Sequence, residues 1–422
     1  MSNPSRRQVL SWFPAAVLLA RASTLAAGTP IPVRVAPLPL VQPASFPATS
    51  IPGAVQPLAP GALAAPALPQ ILIPGLLELH RCEYASNGFL EAAHAVLLLP
   101  TGRLKPGLAG SLARTAVQRT FAARPGLSEV TVSVYRSEGY QGFGGPSPLL
   151  TVSVPSIRLD EFVQKSVLQL ASYDRAWINP DVSSPVQPVS SEELEVAPVF
   201  VGSTDGLAAQ RIQQLAAQLS GGVHGGLFFH ETPLKLDAAL SFDDAPHPIY
   251  ALLLLDTLSR ANVKATFFCI GRNARAYPYY VKDIAAQGHE IANHTFHHVR
   301  LTELPVDTVE DEVRQCSDVL TGITGKQVRY FRPPGGRYSP ETLSIARSLG
   351  LSTVFWTDDP ADFNNPGQTV LETRLARSLR AGGIVLLHDN VLESLRVLPQ
   401  FAQYAAKRQI RLGTVSALAA LS

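Results

Sequence analysis

From about residue 233 the chain alternates between two patterns. Short apolar runs appear at Ala238–Phe242, Ala265–Gly271, Glu290–Thr295, Val328–Arg332, Ser352–Thr357 and Gly383–His388. Between them lie Tyr250–Ala261, Val281–Gln287, Asp307–Leu320, Glu341–Leu349 and Val370–Leu379, where apolar positions recur every three or four residues. Runs of four to eight read as strands and the longer periodic stretches as helices. Regular strand–helix alternation predicts a parallel sheet, and this many units predict an α/β fold closing as a (β/α) barrel, complete or incomplete, over residues 233–422. Local punctuation agrees. Ser339, Pro340 and Glu341 read as N-cap, first helical position and an acid at the positive helix end, and Gly350 sits where a C-terminal cap belongs.

Residues 76–182 predict a separate, small α/β module. Ala95–Leu99 and Leu149–Val154 are strand-like, and Glu129–Tyr135 alternates with period two. Pro106–Ala123 and Leu159–Leu170 have helical spacing. Its isolated His80 and His94 read as structural. The module could bind a polymer, pack on the barrel or only space it. Residues 183–232 contain a Ser/Pro-rich stretch followed by the amphipathic Leu207–Leu219, and are expected to form a linker.

Residues 28–74 hold twelve prolines and one charge, Arg34. That density favours extended polyproline-like chain, so 28–75 reads as a semi-rigid linker. Residues 1–27 read as an export signal: Arg6 and Arg7, then the apolar Trp12–Ala20, then small residues at 26–28. Ser5-Arg6-Arg7 also fits a twin-arginine signal. The expected location is therefore the cell envelope or outside it, with no membrane span beyond this segment. The net charge of +2 gives no basic footprint for nucleic acid. The three cysteines exclude a disulfide scaffold and are expected to be free.

The candidate chemistry gathers at the C-terminal ends of the barrel strands, where such folds build their sites. Asp243 and Asp244 follow the first strand, and His294 and His298 the third. Arg332 ends the fourth, Asp359 and Asp362 follow the fifth, and His388 and Asp389 end the sixth. On a helical turn the His294–His298 spacing would put both imidazoles on one face. A carboxylate from elsewhere would complete a three-ligand catalytic metal site. Adjacent carboxylates such as Asp243 and Asp244 repel, and a cation relieves this. One can ligate while the other acts as base. His297 points off that face and is not expected to be a ligand.

Taken together, Ser241-Phe242-Asp243-Asp244-Ala245-Pro246, His294-Thr295-Phe296-His297-His298, Arg332-Pro333-Pro334-Gly335-Gly336, Asp359-Pro360-Ala361-Asp362-Phe363 and Leu386-Leu387-His388-Asp389 resemble, in order, the five motifs of the polysaccharide deacetylases, the NodB-homology domain of carbohydrate esterase family 4. The resemblance covers 233–422 and implies a distorted (β/α) barrel of the NodB-homology type. It implies a metal-dependent hydrolase that removes N-acetyl or O-acetyl groups from a sugar polymer, expected to be of the bacterial envelope. It implies Asp243 as general base, Asp244, His294 and His298 as metal ligands, and Arg332 as the group that orients Asp243. It further implies His388 as general acid held by Asp362, Gly335 as an oxyanion donor through its backbone N–H, and Leu386 as a wall for the acetyl methyl group. The implied cofactor is one divalent ion, zinc in the first instance, with cobalt, nickel or manganese as substitutes. The implied partner is an acetylated polysaccharide.

Three positions depart from the family pattern. Ala245 replaces a glycine, which would strain the backbone if φ were positive there. Gly335 replaces an aromatic and Phe363 a tryptophan. Two other readings stay open: a silent barrel that binds glycans, and a hydrolase of small linear amides on the same barrel.

Overall fold

The computed structural model describes residues 67–103, 107–140, 142, 145–164, 167–180, 206–232 and 236–420. The expected export signal and most of the two expected linkers lie outside them.

The first sheet contains β1 (Leu79–Ser86), β2 (Glu91–Leu99), β3 (Glu129–Arg136), β4 (Leu150–Pro155) and β5 (Ala176–Ile178), in that spatial order. Only β2 and β3 are parallel, joined through helix α1 (Leu108–Ala123). Helix α2 (Leu159–Gln164) follows β4. The alternation in β3 gives the module two faces. Val130, Val132 and Val134 pack in the core under α1, whereas Glu129, Thr131 and Ser133 form a buried polar face. The expected linker 28–75 ends earlier than its proline content suggests. Gln70 bridges Glu83, and Ile71 and Ile73 are buried in the module core. The alternating Ile71-Leu72-Ile73 behaves as an edge segment, leaving Leu72 exposed.

Next come helix α3 (Gly206–Gln218), hairpin strands β6 (Val223–His224) and β7 (Leu227–Phe228), and then β8 (Asp237–Ala245). Helix α4 (Tyr250–Arg260), β9 (Thr266–Cys269), α5 (Gly271–Ala276), α6 (Pro278–Ala286) and β10 (Glu290–Asn293) follow. The rest is α7 (Val306–Thr324), β11 (Tyr330–Phe331), α8 (Pro340–Ser348), β12 (Ser352–Val354), α9 (Gln368–Ser378), β13 (Ile384–His388), α10 (Leu392–Lys407), β14 (Arg411–Gly413) and α11 (Val415–Ala419). The sheet order is β13-β8-β9-β10-β11-β12-β7-β6, with β14 also on β8. A bridge from Asp358 to Val385 links the run after β12 to β13, curling the sheet into a distorted barrel. The linker expected over 183–232 is corrected at its C-terminal end. β7 pairs with β12 in the barrel sheet, and Ile212 of α3 is buried beside Phe228 and Trp356.

Strands β8, β9 and β13 are buried on both faces, which explains their continuous apolar runs. Period two still sorts them. Leu240, Phe242, Phe267, Val385 and Leu387 face the surrounding helices, while Ala239, Phe268, Ala292, Ile384 and Leu386 face inward. Asp243 shares the inward parity of Ala239, His294 that of Ala292, and His388 that of Leu386. Helix α8 starts as expected: the Ser339 hydroxyl accepts from Thr342 N at 3.2 Å, and Pro340 opens the helix.

The module's polar face seals against the barrel through the α5–α6 turn. Tyr277 and Ser133 hydroxyls lie 2.9 Å apart. Tyr280 donates to Glu129 Oε1 at 2.6 Å. Arg175 joins Glu129 to Asp283 at 2.9 and 2.7 Å. Polar β3 positions are thus satisfied by partners across the junction instead of by water.

Candidate active site

Asp243 and Asp244 end β8, where the register with β9 shifts between Phe242 and Ala245. Asp244 adopts φ 71°, which turns its carboxylate beside that of Asp243 toward β10. The positive φ falls on Asp244 and not on Ala245, so the expected strain at Ala245 does not arise. His294 and His298 follow β10 on a loop, not on the helical turn their spacing suggested. Thr295 (φ 64°) and His298 (φ 59°) are left-handed, and this reversal brings the rings to a centroid separation of 4.9 Å. The loop is held from below. Asn293 Oδ1 accepts from Thr295 N at 2.8 Å. Glu312 Oε2 of α7 accepts from Phe296 N and His297 N at 3.1 and 2.8 Å. His297 turns to Glu312, 2.6 Å away.

Ligating atoms of Asp244, His294 and His298 all lie within 4.8 Å of one another, and all three residues are buried. Asp244 Oδ1 lies 3.2 Å from His298 Nε2 and 3.7 Å from His294 Nε2, yet has no hydrogen-bond partner. His294 Nδ1 bonds the Arg332 carbonyl at 2.8 Å, which makes Nδ1 the donor and leaves Nε2 its lone pair. Asp244 Oδ2 accepts from Asn390 at 3.1 Å. An orphaned anionic oxygen facing two imidazole nitrogens is the donor set of a divalent cation. Metal–ligand bonds of about 2.0–2.2 Å suit such a cluster, so these residues fit a metal.

The groups beside this cluster form two pairs. Arg332 is wholly buried and donates from Nη1 to Asp243 Oδ1 at 2.6 Å and to Ser241 Oγ at 3.0 Å. Its Nε and Nη2 reach the carbonyls of Val354 and Phe355, and its guanidinium lies over Phe268. Burial pulls Arg332 below its ordinary pKa, against the opposing charge of Asp243. Across the site His388 Nδ1 lies 2.8 Å from Asp362 Oδ1. Asp362 Oδ2 accepts from His388 N at 2.8 Å and Ser394 Oγ at 2.5 Å. Burial lowers the His388 pKa, but Asp362 and then Asp244 and Asp243 outweigh it and push it up to about 10. Burial would also raise Asp244, but the facing His298, His388 and His294 hold it below the usual carboxylate value. Asp389, by contrast, is raised well above that value, first by burial and then by Asp244.

The structure therefore brings Asp243, Asp244, His294, His298, Arg332, Asp362 and His388 to one end of the barrel. Leu386 is buried on β13 two residues before His388. Gly335 sits at φ 63° in a short turn after Arg332, a left-handed conformation natural to glycine.

A sequence model of the family described as polysaccharide deacetylase matches residues 230–354. A chitooligosaccharide deacetylase of Sinorhizobium fredii is 37% identical over 151 residues, 36% of this chain and 70% of that protein. A peptidoglycan-N-acetylglucosamine deacetylase of Bacillus cereus is 33% identical over 189 residues, 43% of this chain and 86% of that protein. The chain belongs to the polysaccharide deacetylase family. Among solved structures, that of a family 4 carbohydrate esterase pseudoenzyme from Bacillus anthracis is similar at a TM-score of 0.45 and 26% identity, over 47% of this chain and 70% of that one.

Within the deacetylase domain, sequence reasoning missed Ser241, Asn293, Glu312, Asn390 and Ser394, each a hydrogen-bond partner described above. Glu312 had a legible signal. It falls on the stripe of Val309, Val313, Cys316 and Leu320 that α7 buries, where a charge needs a partner. Cys82, Cys269 and Cys316 are free and buried, and burial raises all three thiols above their ordinary pKa.

Proposed function

We propose that the protein is an exported, metal-dependent hydrolase that removes N-acetyl groups from an acetylated sugar polymer of the bacterial envelope, with O-acetyl groups as a second class. The observation that carries this reading is the convergence of Asp244, His294 and His298 between two buried charge pairs, Asp243–Arg332 and His388–Asp362. The Arg6-Arg7 start and the deacetylase relatives support export. Among the described residues no helix is long and apolar enough to cross a membrane.

Asp244, His294 and His298 would hold the ion, zinc in this proposal. When bound, it supplies Lewis-acid polarisation of the acetyl carbonyl and a more acidic water. Arg332 orients Asp243 by fixing Oδ1, leaving Oδ2 to accept the proton of the attacking water. The N–H of Gly335 donates to the developing oxyanion, a contribution of ~2.7–4 kcal/mol for one donor. His388, protonated at neutral pH and held through Nδ1 by Asp362, gives its Nε2 proton to the leaving nitrogen. A base fixed by Arg332 and an acid held protonated by Asp362 divide the two roles between separate partners. Leu386 lines the space for the acetyl methyl group. Phe363, with its ring centroid 5.3 Å from that of His388, keeps an apolar wall where the family's indole would stand.

The test is acetate release from chito-oligosaccharides, peptidoglycan glycan strands and acetylated xylan, with and without chelator. Chelator-sensitive release from a hexosamine polymer is expected. No release from any of them rejects the proposal, and release only from small linear amides would favour the other hydrolase reading.

A further inference from the structure

A cavity of about 180 Å³ lies where the N-terminal module meets the barrel. A water's share of liquid volume is about 30 Å³, so the cavity has room for a ligand of several atoms. Arg81, His94 and Tyr140 line it from the module; His247, Tyr250 and Asn390 line it from the barrel. It adjoins the candidate active site through two of those residues. Asn390 Nδ2 donates to Asp244 Oδ2 at 3.1 Å, and His247 N donates to Asp389 Oδ2 at 2.9 Å.

Three features of the walls describe an occupant. Flat rings are abundant: Tyr140 packs 5.0 Å from Tyr135 and 5.3 Å from His80, and His247 packs 4.8 Å from Tyr250. A polar atom stands ready beside them, since Asn390 Oδ1 is buried without a hydrogen-bond partner. The lining is also close to neutral. Arg81 is paired with Glu83 at 3.5 Å, and burial, followed by neighbouring positive charge, holds the His94 and His247 imidazoles uncharged, the latter down to about 3. Ring faces for C–H surfaces, edge donors and acceptors for hydroxyls, and no spare charge suit an uncharged sugar ring.

We propose that this cavity is a glycan subsite that takes a neutral N-acetylhexosamine unit neighbouring the one being deacetylated, which makes the module a wall of the substrate groove. This rests on the deacetylase reading above. The module's role, open from sequence, becomes one of recognition: it selects polymer over single sugars.

The test uses the full chain and chito-oligosaccharides of two to six units. The wild-type protein should gain about tenfold in kcat/KM from the shortest to the longer oligomers, and Tyr140→Ala and Arg81→Ala should each lose that gain. Calorimetric binding of chitotetraose provides a readout independent of turnover, with the Kd expected to weaken about tenfold in both variants. Identical length dependence and identical Kd in folded variants and wild type would overturn the subsite. An equal gain with oligomers whose neighbouring unit carries a carboxylate would overturn its neutral specificity. Chitotetraose binding weakened by Tyr140→Ala, with no acetate released by the wild-type protein, would keep the subsite and reject the deacetylase reading.

Discussion

Arg332 donates to Asp243 at 2.6 Å from a side chain with no solvent exposure. Removing one partner of a buried ion pair leaves the other uncompensated and costs about 3–5 kcal/mol. Arg332→Leu should lower unfolding stability by that amount in denaturant titrations and abolish acetate release. Asp243→Asn removes charge with little change of shape. It should retain the metal and lose at least about 100-fold in kcat. A rate equal to wild type would remove Asp243 from the role of base.

His294 and His298 each present Nε2 to Asp244 Oδ1. His294→Ala and His298→Ala should reduce bound metal from about one equivalent per chain to a small fraction of it, as expected when one ligand of three is lost. Elemental analysis after dialysis measures this. Unchanged metal content in either variant would place the ion elsewhere.

If His388 is the proposed acid, the His388–Asp362 pair should set the alkaline side of the pH profile. His388 is raised from 6.5 to about 10, so the protonated acid persists through neutral pH and is lost as pH climbs toward 10. The same shift makes the pair's stabilising contribution complete below pH 6.5 and lost as pH rises through about 10. Asp362→Asn removes the largest raising influence and leaves the burial. The alkaline limb of kcat should then move toward acid by at least about one pH unit. Rate–pH profiles of the two proteins decide the matter, and superimposable limbs would exclude His388 as the acid.

Glu312 ties α7 to the loop between His294 and His298 through three contacts. Glu312→Gln keeps the size and weakens the charge-assisted bonds. Metal affinity should fall by roughly 10-fold or more, read by competition with a chromogenic chelator, while the circular dichroism spectrum stays the same.

The barrel was legible because its central strands β8, β9 and β13 are buried on both faces and its helices on one. Apolar runs of Ala238–Phe242 type and the three-to-four spacing in α7 carry those burial patterns directly. The hairpin β6–β7 and strand β14 were not legible. Two or three residues are too few to show a period, and what fixes them is pairing with β12 and β8. The segment from Ile270 read as strand but begins α5, because Gly271 packs its backbone against Phe296 and Cys316, where a Cβ would collide. At the site, residue types and strand-end positions could be read from the chain. The left-handed turn at Thr295 and His298 could not, since neither residue type announces positive φ. Asn390 and Ser394 were hidden because their role depends on which carboxylate the fold sets beside them.

Asp244 and His294 stand at the ends of β8 and β10, with β9 between them. Asp244 and the His294–His298 loop can therefore meet at one cation only when β8, β9 and β10 lie side by side. Under the proposed metal site, occupancy by the ion doubles as a gauge of assembly. Each increment of free ion above its dissociation constant favours the finished sheet over open chain, and resistance to heat should climb with metal loading before any sugar is present.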